Sequence, residues 1–261
     1  MKLVDLFHTI QGEGKYAGML ATFIRFPNCN LFCGLTKPLP DKINGEIYNL
    51  TQKEINKMKS KNATWVCDTM VQWRQSGKEY SVNEIVNIVK NTYNNSNYHI
   101  VFTGGEPLLH KKEILQLINE FEKLQYPPSK YEIESNATIP PLIHDKIIYN
   151  LSPKLKNSGL PENIRIKPQV LFQYQKLSKT HEVYLKFVVN TQNDVYDALS
   201  IAVDNEFLSE KFWSHIYFMP GAYTRKELIT NSSKVVNFCK IFGINYSPRL
   251  QIFIWDKAIS V

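Results

Sequence analysis

Three of the four cysteines stand close together, Cys29 and Cys33 in CNLFC and Cys67 in WVCDT, while Cys239 lies far off in an apolar helical pattern. In a reducing compartment clustered thiols are ligands for zinc or an iron–sulfur cluster. A closed zinc site wants four ligands, and the fourth would have to be recruited from His8, His99 or His110, none of which has adjacent ligand spacing. Three thiolates on a [4Fe-4S] cluster would leave one iron open to a small molecule. Unliganded buried cysteines are the third reading. These residues alone leave all three open.

The elements that must carry the cysteines are legible around them. Residues 8–33 read as a Gly-broken loop feeding a strand over Leu20–Phe26, with Ala21, Phe23 and Arg25 on one face and Thr22, Ile24 and Phe26 on the other. Pro27 and Asn28 end that strand, so Cys29 and Cys33 sit on a loop at its carboxyl end, where catalytic loops of α/β barrels lie. A guanidinium sharing a face with apolar neighbours needs an anion, so Arg25 calls for a structural carboxylate or a ligand carboxylate. The stretch YHIVF reads as a buried strand ending in TGGEP, residues 103–107, where paired glycines let the backbone approach a ligand and Glu106 can accept from an ammonium group.

Beyond Cys67 strands alternate with helices. A Ser81–Glu84 capping box opens VNEIVNIVKNTY, and KKEILQLINEFEKLQ, NDVYDALSIAV and KELITNSSKVVNFCKIF are helical. YEIES, KIIYNLS, VYLKFVV and SHIYFMP are strands. This pattern predicts a parallel sheet wound as an open or partial barrel. Residues 34–66 form a long decoration with one helix behind a Thr51–Glu54 capping box. It carries Lys37, Lys42, Lys53, Lys57, Lys59 and Lys61 against Asp41, Glu46 and Glu54, which is either a solvated face or a dock for an acidic electron donor.

The 261 residues, 43% hydrophobic, suffice for one large α/β domain. The start MKLVDLFHTI has no apolar run of signal length and no stretch suits a membrane span, so a cytoplasmic, membrane-free protein is expected. The net charge of +7 is spread along the chain rather than massed, which argues against direct nucleic-acid binding.

QGEG at 11–14, IRF, CNLFC, CDT, TGGEP, EIESNAT, LSPK, LKFVV, YFMP and SPRLQIFIW together resemble the 7-carboxy-7-deazaguanine synthase family of the radical S-adenosylmethionine (SAM) superfamily. The resemblance implies an α/β fold, an incomplete parallel β/α barrel of radical SAM type, as a single domain over residues 1–261 with an inserted segment at about 34–66 in the cluster-binding loop. It implies conversion of 6-carboxy-5,6,7,8-tetrahydropterin to 7-carboxy-7-deazaguanine with release of ammonia, by a homodimer fed by a flavodoxin- or ferredoxin-like electron donor, in deazapurine biosynthesis of the queuosine type. Cys29, Cys33 and Cys67 would hold a [4Fe-4S] cluster. Gly104, Gly105, Glu106, Ser135, Ser152 and Lys154 would bind SAM. Gln11, Glu13, Arg25 and Thr103 would bind the pterin, with Arg25 on its carboxylate, and Thr69 would be a ligand to Mg2+. The implied mechanism is reductive cleavage of SAM to a 5′-deoxyadenosyl radical, hydrogen abstraction from the pterin carbon bearing the carboxylate, ring contraction and return of the hydrogen.

The chain departs from the family pattern in places. The superfamily's usual third cysteine position is Thr36, and Thr64 stands three residues before Cys67, so Cys67 must close the cluster across the long segment. Ala137 replaces the glycine usual after the Asn of EIESN, and Gln251 stands where many relatives have His. A radical SAM enzyme of the same fold acting on another substrate, and a zinc-stabilised basic nucleic-acid-binding module, are the alternatives. Gln11, Glu13 and Arg25 beside the cluster argue against the first, and neither explains GGEP and LSPK.

Overall fold

A computed structural model describes residues 1–37, 42–43, 46–47, 52–67, 70, 77–207 and 210–256. Its strands, in chain order, are β1 (Lys2–Leu3), β2 (Asp5–Ile10), β3 (Leu20–Phe26), β4 (Lys42–Ile43), β5 (Glu46–Ile47), β6 (Lys78–Glu79), β7 (His99–Gly104), β8 (Lys130–Ser135), β9 (Ile147–Leu151), β10 (Glu182–Val189), β11 (Ile216–Pro220) and β12 (Asn245–Tyr246). Eight of them make one sheet in the order β12-β11-β10-β9-β8-β7-β3-β2. All its pairings are parallel except β2 with β3. The two edge strands, β2 and β12, do not pair with each other, so the sheet is an α/β winding left open, the partial barrel expected.

The strands predicted by apolar runs are present, as is β3 over the expected residues. One reading fails: residues 8–10 belong to β2, not to a loop, because Asp5–Ile10 pairs antiparallel with Leu20–Arg25 and needs no apolar run of its own.

Alternation divides the sheet into two faces with different work. Ile100, Phe102, Tyr131, Ile133, Tyr149 and Phe187 point into the main core, against Ile85, Ile114, Leu117 and Phe121 of the helices Val82–Thr92 and Lys111–Phe121. The opposite face carries small apolar clusters, Ala21, Phe23 and Val101 beside Phe7, and Ile148, Tyr184 and Tyr217 beside Tyr16. It also carries Arg25, Thr103, Glu132, Glu134, Asn150 and Lys186, which share that face by the two-residue period. Polar side chains on the face that lacks covering helices mark where a ligand goes.

The Ser81–Glu84 capping box forms as expected, and a second, Thr191 with Asp194, opens the helix Gln192–Asp204. Of the decoration, the helix Gln52–Lys57 is present; the Thr51 half of its predicted cap lies outside the described residues. Among the described residues no helix is long and apolar enough to cross a membrane.

Candidate active site

The loop after β3 turns at Asn28, whose φ of 67° lies in the left-handed region asparagine tolerates, and carries Cys29 and Cys33. Gly34 then passes so close to the other end of the decoration that a Cβ there would come within 2.5 Å of Trp65 O and Val66 Cα. Its φ of 91° also demands glycine. The contact brings Cys67 beside Cys33, the Cys67 N–H donating to the Cys33 carbonyl at 3.2 Å. Leu31 and Leu160 line this pocket with Cys33, and Cys29, Trp65 and Cys67 pack on them.

None of the four cysteines is in a disulfide among the described residues. Burial pushes the Cys29 thiol up to about 12 and Cys33 higher, the nearby Lys154 charge opposing this in both. Desolvated thiols of this kind ionise when a cationic group arrives to pair with them. The donor set fits an iron–sulfur cluster: three thiols in an apolar pocket, with N–H groups of Leu31 and Asn136 directed at Cys29 Sγ at 3.4 and 3.9 Å. Among the described residues no group of three or more His, Cys, Asp or Glu side chains is set to hold a metal ion as it stands. The histidines considered for zinc are engaged elsewhere. His8 meets Thr22 and Thr92, His99 meets buried Glu132, and His110 lies 3.0 Å from Pro27 O and stacks on Phe26.

Behind the cysteine loop runs TGGEP. A Cβ on Gly104 would meet Phe26 O at 2.2 Å, and one on Gly105 would meet Asn28 O at 2.0 Å and Cys29 Cβ at 2.7 Å. Both glycines are therefore needed for two backbones to touch. The Glu106 N–H donates to Asn28 O at 2.9 Å, and the buried Glu106 carboxylate accepts from Leu108 N, Ser135 Oγ and Asn136 N at 3.1, 3.1 and 2.8 Å. Glu106 is thus a brace across β7 and β8, a role the sequence reading did not include. Burial raises its pKa and these donors oppose the rise. One of its roughly four acceptor positions is left for an ammonium group. Ser152 N donates to Ser135 O at 2.7 Å, and Lys154 Nζ to Ser152 Oγ at 3.3 Å, so Ser135, Ser152 and Lys154 line up beside the brace. Asn136, which sequence reasoning passed over, ties this row to the cysteine loop through Asn30 at 2.9 Å.

At the polar face of the sheet Arg25 stands opposite Thr103 in the β3–β7 register. Arg25 Cζ lies 5.9 Å from the Phe7 ring centroid, and its buried Nε has no hydrogen-bond partner among the described residues. Thr103 Oγ1 donates to Glu134 Oε2 at 2.7 Å. Glu13 pairs with Lys186 and accepts from Arg249 Nε at 3.2 Å and Gln251 Nε2 at 2.6 Å. Burial alone would raise its pKa; Lys186 and Arg249 more than reverse that and bring it to about 2. With three donors in place, the paired acceptor expected of Glu13 is largely spent, and Oε2 keeps the remaining position.

Gln11 is buried between Glu132 Oε2, to which Nε2 donates at 3.0 Å, and the Glu13 N–H, which Oε1 accepts at 3.1 Å. It thus supports Glu13, with one N–H and one lone pair of its amide beyond these two bonds. Lys186 and Arg249 were legible only as residues inside LKFVV and SPRLQ; a lysine within a buried strand was the available signal. Thr69, the expected magnesium ligand, lies outside the described residues.

Residues 59–139, which hold Cys67, TGGEP and EIESNAT, match the model of a 4Fe-4S single cluster domain. The chain is 31% identical over 186 residues to 7-carboxy-7-deazaguanine synthase of Buchnera aphidicola subsp. Schizaphis graminum, covering 71% of this chain and 75% of that one. It is 26% identical over 276 residues to the Halobacterium salinarum enzyme of the same name, covering 97% and 90%. The fold is similar to the crystal structure of QueE from Escherichia coli, with a TM-score of 0.60 at 20% identity over 94% of this chain and 92% of that one.

Proposed function

We infer the reaction from one premise: the chain belongs to the 7-carboxy-7-deazaguanine synthase family. It is a radical SAM lyase that converts 6-carboxy-5,6,7,8-tetrahydropterin to 7-carboxy-7-deazaguanine and ammonia. The observation that carries the substrate assignment is Arg25, a cation with a buried unpartnered Nε on the strand that leads into the three-cysteine loop. A substrate carboxylate supplies its missing partner.

Cys29, Cys33 and Cys67 hold the [4Fe-4S] cluster, and the backbone of Gly104 and Gly105 with Glu106, Ser135, Ser152 and Lys154 lines the SAM pocket. When bound, the cluster supplies the electron, and SAM the 5′-deoxyadenosyl radical, on which this chemistry runs. The chain's own work is placement. Arg25 fixes the carboxylate end of the pterin, Thr103, its O–H given to Glu134, adds a contact as an acceptor, and Glu13, kept anionic by Lys186 and Arg249, accepts an N–H from the pterin's other end. Two anchors at opposite ends of the pterin fix its orientation in the site.

Thr69 would hold Mg2+, which when bound would supply positive charge for a carboxylate. The enzyme is a cytoplasmic homodimer, one radical SAM domain with an insertion at about 34–66, reduced by a flavodoxin- or ferredoxin-like protein. The test is an anaerobic assay of cluster-reconstituted protein with SAM, Mg2+, dithionite and the pterin, read by product mass. SAM cleavage without deazaguanine would keep the fold and cofactors and overturn the substrate.

A further inference from the structure

A buried carboxylate lies under the segment that carries Glu13. Glu132, in the middle of β8, is 0% exposed. Its Oε2 accepts from Gln11 Nε2 at 3.0 Å and from Asn150 Nδ2 of β9 at 2.7 Å, and His99 Nδ1 of β7 lies 2.7 Å from its Oε1. Three neighbouring strands thus converge on one acid. The segment after β2 is laid across this polar plate. Gln11 ends on Glu132, a Cβ at Gly14 would lie 3.7 Å from Asn150 Oδ1, and the Tyr16 ring meets the His99 ring edge-on at 4.9 Å between centroids. Glu13 stands between these fixed points.

Stability alone does not call for an acid there, since well-packed apolar side chains of similar volume often serve as well as a buried ionic cluster. What an acid does and an apolar residue cannot is fix the sense of the Gln11 amide. Both lone pairs of Glu132 Oε2 are taken by N–H donors, so that oxygen only accepts. At the other end of the amide, Gln11 Oε1 accepts the Glu13 N–H at 3.1 Å. Reversing the amide would set oxygen against oxygen at Glu132 and N–H against N–H at Glu13, two mismatches in a buried place. The amide therefore stands in one sense, and the main chain of Glu13 is held with it.

We infer that Glu132, supported by His99 and Asn150, is a positioning residue for substrate recognition: it locks the Gln11 amide in one donor–acceptor order and so sets the Gln11–Glu13 segment for the N–H-bearing end of the pterin. The inference rests on the pterin assignment above and adds the part of the sheet that enforces it. Buried beneath the segment, Glu132 acts through Gln11. An unpinned glutamine presents either its N–H or its carbonyl to a ring edge, and binding must select one of the two. Pinned, it is in order before the substrate arrives.

The test compares Glu132→Leu, which leaves the Gln11 and Asn150 N–H groups without their acceptor, with Glu132→Gln, whose amide oxygen can keep both while its NH2 group meets His99 Nδ1 in the other tautomer. Binding of the pterin to cluster-loaded, unreduced protein with SAM is read by calorimetry, so that no turnover is needed. The Gln11 side-chain NH2 signals of the pterin-free protein, isotope-labelled at glutamine, are read by NMR. Glu132→Leu is expected to weaken pterin binding about 10-fold or more, to raise the KM for the pterin alike, to leave SAM cleavage in its absence unchanged, and to let the Gln11 NH2 exchange with solvent. Glu132→Gln should stay within about 3-fold of the parent and keep the signals. Where Glu132→Leu does not fold, His99→Phe with Glu132→Leu, an apolar plate, should show the same losses. Glu122→Leu, which removes a carboxylate that pairs with Tyr131 and Lys146, should change neither readout. Unchanged Gln11 signals without the acid, equal loss in Glu132→Leu and Glu132→Gln, or equal loss in Glu122→Leu would overturn the positioning role. Release of the Gln11 amide in Glu132→Leu, from a parent that binds no pterin, would sustain the positioning role and overturn the substrate.

Discussion

The Cys67 N–H donates to the Cys33 carbonyl at 3.2 Å, so the third thiol is registered against the second by main chain rather than by sequence proximity. Cys67→Ala is therefore expected to abolish cluster assembly, read as iron content and as absorption at about 400 nm. Thr64→Ala, at a side chain that only caps Asn157 O, should retain both. A full cluster in the first variant would sink the ligand assignment.

Gly105→Ala forces a Cβ to 2.0 Å from Asn28 O, where only backbone can yield. It should cost about 1–3 kcal/mol or more and loosen the cluster loop, visible as a lower melting temperature and faster loss of iron. Gly18→Ala meets nothing within 4 Å and pays only for its φ of 94°, so it should leave the iron content untouched.

Arg25→Met removes a buried, unpartnered guanidinium Nε. The substrate-free variant should be as stable as the parent or slightly more so by thermal melting, while deazaguanine formation falls roughly 100-fold and SAM cleavage persists. A large drop in stability would show that Arg25 serves the fold.

Ala137 sits at φ 62°, in the left-handed region that costs an alanine about 1–2 kcal/mol. That is the physical reason a glycine suits the position. Ala137→Gly should leave stability unchanged or raise it by about 1 kcal/mol, the relief of strain exceeding the added freedom of the unfolded chain. A clear fall in melting temperature would mean the methyl group, buried as it is, matters more than the backbone.

Glu13, held at about 2 in the folded protein against an ordinary value of 4.5, contributes stability that is complete above 4.5 and drains away as the pH falls towards 2. Glu13→Gln should make stability less steep in that window and leave the slope above pH 5 alone. Identical slopes would place the titration elsewhere.

The sequence displayed the sheet because parallel strands buried on one or both sides read as apolar runs, and β7 to β11 appear where those runs stand. β2 was missed since DLFHTI alternates too weakly and owes its extension to pairing with β3. The thiols and TGGEP were legible by spacing and by glycine. The bracing done by Glu106 and Gln11 was not, because a side chain that meets a ligand and one that also braces its neighbours are the same residue types in sequence. Only the partners, Leu108, Ser135 and Asn136 for Glu106 and Glu132 for Gln11, show that second task.

The antiparallel bridge between Leu35 and Lys59 ties the base of the insertion and separates its length from the geometry of the cysteines. Once the base is tied, each doubling of the chain hung from it adds only about 0.6 kcal/mol of closure entropy. The interval between the second and third thiols is then free to lengthen, shorten or change its charge from one lineage to another without moving a ligand. A search for such enzymes by fixed cysteine spacing would overlook this one, whereas a search for the glycine that follows the second cysteine and the contact it makes would not.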